Sequence, residues 1–406
     1  MMSLAGKELI LGVTGSIAAY KAVYLLRELG RLGAGVTVVT TAHAREFIAP
    51  LTWRTLSGRP VLTDLFDPQM PDAVEHVALA ERAHAVLVAP ATANLLAKAA
   101  HGIADDFLTT LLLAARGPLV MAPAMDGGMW EHPAVRANVA TLRGRGVTVL
   151  EPDAGALASG LAGKGRFPEV DAIVEALLRA LAPRDLAGDR VLVTAGPTRE
   201  PLDPVRYISN RSSGKMGYGL AAAALRRSAG VTLISGPTAL TPPPGAVFVP
   251  VQTAEEMREA VLQHLSSATV VIKAAAVADY RAKQTAPAKI KGKRDLTLEL
   301  TPNPDILAEV AARRTDAFIV GFAAETHDVA AHARAKLEGK GIDLLVANDV
   351  SQQGIGFDAE DNEVLLLDRW GGTRALPRMP KAEVADAILS HILALRAGAA
   401  AKKTPA

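Results

Sequence analysis

"RVLVTAGPTREPLDPVRYISNRSSGKMGYGLAAAALRRSAGVTLIS", residues 190–235, reads as a strand, a long polar loop, a helix and a second strand. Val and Leu fill "RVLVTA" (190–195) and "GVTLIS" (230–235), and the helical spacing lies over 213–229. The same order already occurs near the start of the chain. There "ELILGVT" (8–14) is a buried strand, "SIAAYKAVYLLRELGR" (16–31) a helix and "GVTVVTT" (35–41) a strand. Outward from that first unit, strands at 84–90, 118–123 and 146–151 alternate with helices in 92–115, 132–144 and 169–181. Outward from the second, strands at 268–274, 317–322 and 342–347 alternate with helices at 253–265, 304–313, 326–339 and 380–396. Apolar strands alternating with helices predict mostly parallel sheets covered by helices on both faces. "APRDLAGDR" (182–190) lies between the two series and reads as a linker. The sequence therefore predicts two α/β domains, 1–185 and 186–398, and a disordered tail at 399–406.

Composition narrows the function classes. Lys+Arg total 44 against Asp+Glu 42, so bulk charge gives no reason to expect nucleic acid. No uninterrupted apolar run reaches the length of a membrane span, and the start of the chain resembles a first strand more than a signal peptide. The expectation is a cytoplasmic protein with no membrane and no nucleic-acid partner. With no cysteine, disulfides, thiolate-bound zinc and iron–sulfur clusters are excluded.

Several loops invite a ligand. Gly15 and Ser16 stand between a strand and a helix N-terminus, where free N–H groups favour an anion; a plain tight turn reads equally well. "RSSGKMGYGLA" (211–221) contains "GK" but lacks the glycine spacing of a Walker A loop, and its glycines fit a close-packed helix start as well. The proline-rich loop before it follows a strand's carboxyl end, where open α/β sheets bind ligands. "YRAKQTAPAKIKGKR" (280–294) reads either as a solvated basic loop or as a flap over a polyphosphate. His76 alone favours a structural role, and His327 and His332 lack partners at metal-binding spacing.

Taken together these segments resemble the bifunctional phosphopantothenoylcysteine decarboxylase/phosphopantothenate–cysteine ligase family of bacterial coenzyme A synthesis. "AGPTREPLDPVRYISNRSSGKMG", "AAAVADYR", "KIK", "NPDIL", "VGFAAET" and "ANDV" follow the order of the ligase half. "GVTGSIAAYK", "EHVALA", "APATAN", "PAMDGGMW" and "GKGR" are similar to flavin-containing cysteine decarboxylases. The resemblance implies two Rossmann-like domains with mostly parallel sheets: an N-terminal flavoprotein decarboxylase domain and a C-terminal ligase domain.

For the ligase half it implies that CTP, with Mg²⁺, activates the carboxylate of 4′-phosphopantothenate as an acyl-cytidylate, which the cysteine amine then attacks. Bringing these anions together needs cations. By resemblance, Lys289 meets the triphosphate; Lys336 and Lys340, four apart on one helix face, contact the nucleotide. Asp279 accepts a hydrogen bond from it or helps to hold the metal. Asn303, Pro304, Asp305 and Ile306 precede a helix where N–H groups are free, and Phe322 lies near the base. Arg206 and Asn210 hold the acyl-cytidylate. The metal's own ligands are left open.

For the flavin half the resemblance places the FMN phosphate near Gly15, Ser16, Ile17 and Thr40, with Ala91, Thr92 and Asn94 lining the same group. His76 becomes the base beside the substrate thiol. Homo-oligomers are implied, with trimers joined through ligase dimers into a dodecamer. Two positions depart from the family pattern. Asp126 stands in "PAMDGGMW" where the family has Asn, and Ser159 stands in "LASG" where the family has the Cys of "ACG". That Cys is the acid that finishes the decarboxylase reaction by protonating an ene-thiolate. A hydroxyl is a far weaker acid than a thiol, whose reference pKa is about 8.5. An ionised Asp126 at about 4 Å from the substrate carboxylate would add repulsion of about 4 kcal/mol at an effective dielectric of about 20. A protonated Asp126 would instead donate as Asn does. The expectation is a bifunctional enzyme whose final reduction is slow. The alternatives are a ligase with a scaffold-only flavin domain, or a regulatory binding protein.

Overall fold

The computed structural model describes residues 3–66, 75–160, 162–291, 296–313, 316–325, 328–349, 356 and 359–403. Lys293, Arg294 and His327, singled out in the sequence, lie outside them. The chain divides into two compact units, one ending at Ala182 and the other beginning at Pro183.

In the N-terminal unit six strands form one parallel sheet. Their order is Val61–Leu62, Gly35–Thr40, Glu8–Val13, Ala85–Ala91, Leu119–Pro123 and Thr148–Val149. The central strand Ala85–Ala91 is buried at every residue, so it reads as a continuous apolar run. Ala85, Leu87 and Ala89 join the core under the helices Ala19–Arg31 and Val170–Leu181. Val86, Val88 and Ala91 join the opposite core, which contains Leu95, Leu108 and Val139. Helix Ala19–Arg31 buries Ala19, Ala22, Leu25, Leu26 and Leu29, the three-and-four spacing of an apolar stripe. The chain direction across the sheet reverses between Glu8–Val13 and Ala85–Ala91, which is where such folds accept ligands. The stretch "DAGALASGLAGKGR" forms an antiparallel hairpin, Asp153–Ala156 with Ala162–Arg166, which the sequence reading did not assign.

The C-terminal unit repeats the plan with eight strands. Their order is Val247–Pro250, Gly230–Ser235, Arg190–Ala195, Val270–Lys273, Phe318–Glu325, Leu344–Asp349, Asp361–Asp368 and Thr373–Pro380. The first six are parallel, and the last two are antiparallel additions that the sequence reading left unassigned. Helix Lys215–Arg226 lies directly on the sheet at Gly217, where an added Cβ would come within 2.6 Å of the Ala195 Cβ. At this position the close-packing reading of the glycine is the one the structure supports. Helix Lys381–Lys403 closes the core, with Val384, Ala385, Ile388, Leu389 and Ile392 packed in the cluster that holds Leu220 and Ala221. This helix runs on through Lys403, into the stretch 399–406 expected as a disordered tail, as its alanine-rich sequence favours; residues 404–406 lie outside the described residues. Among the described residues, no helix is long and apolar enough to cross a membrane.

Candidate active sites

A cavity of about 730 Å³ opens at the carboxyl ends of the central strands of the C-terminal unit. Several expected residues meet there: Asn210, Asp279, Asn303 through Ile306, Phe322, Lys336 and Lys340 all line it. Local chemistry explains their positions. Asn210 Nδ2 donates to the Val277 carbonyl at 2.9 Å, and Asn303 Nδ2 donates to the Ala278 carbonyl at 2.8 Å. Two loops are thereby stitched to the segment that follows strand Val270–Lys273. Asp305 caps helix Ile306–Ala312 by accepting from the Ala308 N–H at 3.0 Å, and it also pairs with Lys340. The loop 212–217 forms another wall, with Gly214 in the left-handed region at φ 78° just before helix Lys215–Arg226.

Arg206 and Lys289 are not among the residues that line this cavity. Arg206 Nε donates to the Asp203 carboxylate at 2.9 Å, and its guanidinium also reaches the Ile290 carbonyl. Asp203 is buried and accepts from the N–H groups of Val205, Arg206 and Ile290, at 2.8, 2.9 and 3.1 Å. Burial raises its pKa, but those N–H groups and Arg206 outweigh it and hold the carboxyl well below the usual range. Arg206 thus clamps the root of the basic loop, and Lys289 is exposed on that loop. The family resemblance groups both with the other site residues, and a resemblance does not report which way a loop leads.

Lys273 is among the lining residues that the sequence reading does not single out. Lys273 ends strand Val270–Lys273, with Thr194 and Gly321 opposite it on the neighbouring strands. The residue is only 7% exposed, and its Nζ is buried without a hydrogen-bond partner. Burial lowers its pKa to about 7. The available signal was a single lysine inside "TVVIKAAAV", an otherwise apolar stretch. Asn348, Asn362 and Lys381 also line the cavity and were not singled out.

In the N-terminal unit the expected flavin contacts share one sheet edge. Gly15, Ser16 and Ile17 follow strand Glu8–Val13, Thr40 ends Gly35–Thr40, and Thr92 and Asn94 follow Ala85–Ala91; these strands are parallel. Thr14 ties two of these loops, donating to the Pro90 carbonyl at 2.7 Å and accepting from the Thr92 N–H at 3.1 Å. Gly15 has a packing reason as well, since an added Cβ would lie 2.4 Å from the His43 Cβ. Thr40 is 1% exposed and its Oγ1 has no partner, an unsatisfied donor at a strand end. Ala91 is buried, Ile17 is 56% exposed, and Thr92 caps helix Ala93–His101. His76, on helix Glu75–Arg82, meets Phe107 edge-on at a ring separation of 6.3 Å.

The two departures from the family pattern touch each other. Ser159 Oγ donates to Asp126 Oδ2 at 2.6 Å, and Asp126 Oδ1 accepts from the Gly128 N–H at 3.0 Å. Their meeting depends on the hairpin: the Met125 N–H donates to the Gly165 carbonyl at 3.0 Å, and a Cβ on Gly165 would lie 2.2 Å from the Met125 carbonyl oxygen. The Ser159 hydroxyl and then the Gly128 N–H hold the Asp126 carboxyl below its ordinary value. The ionised form is therefore favoured, against the protonated Asp126 that the sequence left open.

Two family models match the chain in tandem. The flavoprotein family covers residues 2–182, and the DNA/pantothenate metabolism flavoprotein C-terminal domain covers 186–395. The coenzyme A biosynthesis bifunctional protein CoaBC of Bacillus subtilis (strain 168) is 47% identical over 398 residues, spanning 97% of this chain and 98% of its own. The chain belongs to the CoaBC family. The CoaBC protein of Vibrio cholerae serotype O1 is 48% identical over 398 residues, covering 97% and 99% of the two chains. A crystal structure of a CoaBC C-terminal domain aligns with 41% identity over 53% of this chain and 99% of its own, at a TM-score of 0.47. Like other CoaBC proteins the chain is a bifunctional enzyme of coenzyme A biosynthesis, with a ligase half and a flavoprotein decarboxylase half.

Proposed function

We propose that the C-terminal cavity joins 4′-phosphopantothenate to cysteine at the expense of CTP, through an acyl-cytidylate. The observation that carries this is the convergence of Asn210, Asp279, Asn303, Lys336 and Lys340 on one cavity at the sheet's carboxyl edge. Lys336, Lys340 and the N-terminal end of helix Lys215–Arg226 supply the positive potential that a triphosphate needs. Asn210 holds the activated carboxylate by its amide, and Phe322 gives the base an apolar wall. Mg²⁺ enters with the nucleotide; among the described residues no group of three or more His, Cys, Asp or Glu is placed to hold a metal alone. Arg206 and Lys289, which are not among the residues lining the cavity, act through the basic loop, whose root they share. With 4′-phosphopantothenate, cysteine and Mg²⁺ supplied, CTP should yield CMP and pyrophosphate. Equal turnover with ATP, or release of a nucleoside diphosphate, would refute this assignment.

The N-terminal unit is proposed to hold FMN and decarboxylate the ligase product, phosphopantothenoylcysteine, to 4′-phosphopantetheine. The unpartnered Thr40 hydroxyl, together with loops 14–17 and 91–94 on the same edge, fits an anionic group such as the FMN phosphate. FMN supplies reversible two-electron chemistry at the substrate thiol. The chain's own residues bind and move protons: His76 takes the thiol proton, Asp126 orients the substrate end, and Ser159 replaces the family acid. Because Ser159 donates to an ionised carboxylate, its proton is held more firmly than in a free serine, and the final protonation is slow. Mass analysis after supplying phosphopantothenoylcysteine should reveal an ene-thiol two mass units lighter than the final thiol. Rapid, complete conversion to 4′-phosphopantetheine would overturn the slow-protonation reading, and absence of CO₂ release would favour a scaffold. Homo-oligomers complete the proposal, and Tyr20 and Tyr24, exposed four apart on helix Ala19–Arg31, suit such contacts.

A further inference from the structure

We propose that Lys273 is a ligand-charged lysine of the C-terminal cavity: its charged form is disfavoured while the cavity is empty, and the entering anionic nucleotide favours its protonation and accepts hydrogen bonds from it. The proposal rests on the cavity being the nucleotide site, and it assigns a group that the family resemblance does not. Three observations support it. Lys273 lies where the chain direction reverses between strands Arg190–Ala195 and Val270–Lys273, the place where open sheets of this kind take ligands. It lines the cavity. Its Nζ is buried with no hydrogen-bond partner, an arrangement that costs stability and so calls for a partner outside the chain.

The surroundings show why the amine lacks a countercharge in the empty protein. The other charged groups lining the cavity are Arg211, Lys215, Asp279, Asp305, Lys336, Lys340 and Lys381. Asp305 is paired with Lys340, and Lys215 pairs with Glu360 at 2.6 Å. No hydrogen bond or ion pair links Asp279 to Lys273 among the described residues. Cations therefore outnumber carboxylates around the amine, and burial brings its pKa to about 7. A polyphosphate reverses that balance. Opposite charge close to a buried amine favours the ammonium form, so binding and protonation are coupled. The proton comes from solvent and returns to it when pyrophosphate leaves.

The test is calorimetric titration of the full-length protein with CTP and Mg²⁺ at pH 8, in buffers of different ionisation enthalpy. At that pH the terminal phosphate, with a pKa of about 6, is already ionised and masks nothing. Wild-type protein should take up close to one proton per CTP, and its affinity should fall by about tenfold per pH unit as pH rises above 7. Lys273→Met, which keeps the bulk without the amine, should lose both the uptake and that slope and should bind CTP more weakly at pH 7. CTP binding with no proton uptake by wild type overturns the proposal even if the variant fails to fold. Unchanged uptake in Lys273→Met also overturns it and leaves the nucleotide reading intact. Failure of the wild type to bind CTP at all removes that reading, and the proposal with it.

Discussion

In the C-terminal unit, side chains from segments as far apart as Asn210 and Lys340 line one cavity of about 730 Å³; in the N-terminal unit, the expected flavin contacts lie on separate loops along one edge of the sheet. Both units use the same strand order, so topology alone does not make the difference. What differs is the wrapping. The ligase sheet carries two extra antiparallel strands, and Asn362 and Lys381 from that added region reach the cavity. The flavin sheet ends at the two-residue strand Thr148–Val149 and is followed by a hairpin that lies against the 124–127 loop. A site built inside one unit can be tested by changing its interior, whereas an edge site is tested by whether its ligand stays.

The largest effect expected from such a change is on stability. Lys273 has a pKa of about 7 when folded against 10.5 when exposed. Between those values the unfolded chain binds the proton and the folded chain does not, so wild-type stability rises with pH across that window. Lys273→Met lacks this dependence. Its stability advantage should reach about 5 kcal/mol at and below pH 7 and vanish near pH 10.5, as followed by denaturant unfolding of the C-terminal unit. A gap that does not change with pH would show that the amine is not buried uncharged.

Next in size is Asn210→Asp, which sets a negative charge against the acyl-phosphate oxygens. Pyrophosphate release should slow by about a hundredfold or more while the fold stays intact, with stability lowered by about 1–3 kcal/mol for the lost hydrogen bond to the Val277 carbonyl. Normal turnover would remove Asn210 from the chemistry and weaken the contrast between the units. In the flavin half, Ser159→Cys together with Asp126→Asn should raise conversion of the ene-thiol by about tenfold or more, measured by product mass. An unchanged product ratio would show that the Ser159–Asp126 pair already serves as a competent acid.

Two smaller effects bear on packing. Gly217→Val would force atoms into the space held by Ala195 and should cost about 1–3 kcal/mol, read as a lower Tm for the ligase unit alone. Thr40→Val removes a hydroxyl that has no partner in the flavin-free protein. It should leave the stability of that protein unchanged, or raise it by about 1 kcal/mol, while loosening FMN. Retention of the yellow chromophore through gel filtration is the measurement, and tight retention would move the phosphate site elsewhere.

Much of this architecture was legible because parallel strands buried on both faces write themselves as Val- and Leu-rich runs. The strand Asp361–Asp368 was harder: "DNEVLLLD" mixes acidic ends with an apolar centre, and its partner "TRALPRMP" contains two prolines. Cavity-lining residues were legible where they sit in short fixed segments, as Asn303 through Ile306 do at the start of their helix. That Arg206 and Lys289 stand outside the cavity lining was not legible, because a turn at buried Asp203 fixes where their segments meet. The contact between Ser159 and Asp126 spans 33 positions and needs a hairpin that no periodicity announces. Lys273 was hidden for the opposite reason, since one polar residue hardly disturbs an apolar strand.

Helix Lys381–Lys403 has a consequence for how the enzyme is made. Its Ile388, Leu389 and Ile392 fill the same core as strand Arg190–Ala195, which leaves the ribosome about 200 residues earlier. At synthesis rates of about 5–20 residues per second, that strand waits roughly ten to forty seconds for its covering helix. The flavin unit has all of its sheet by Val149 and can fold while the ligase is still emerging. Premature release of the chain before residue 381 would therefore give a flavin unit attached to an uncovered apolar sheet. Such a fragment is a natural substrate for chaperones and proteases, so the cell's supply of ligase sites depends on finishing the chain as well as on starting it.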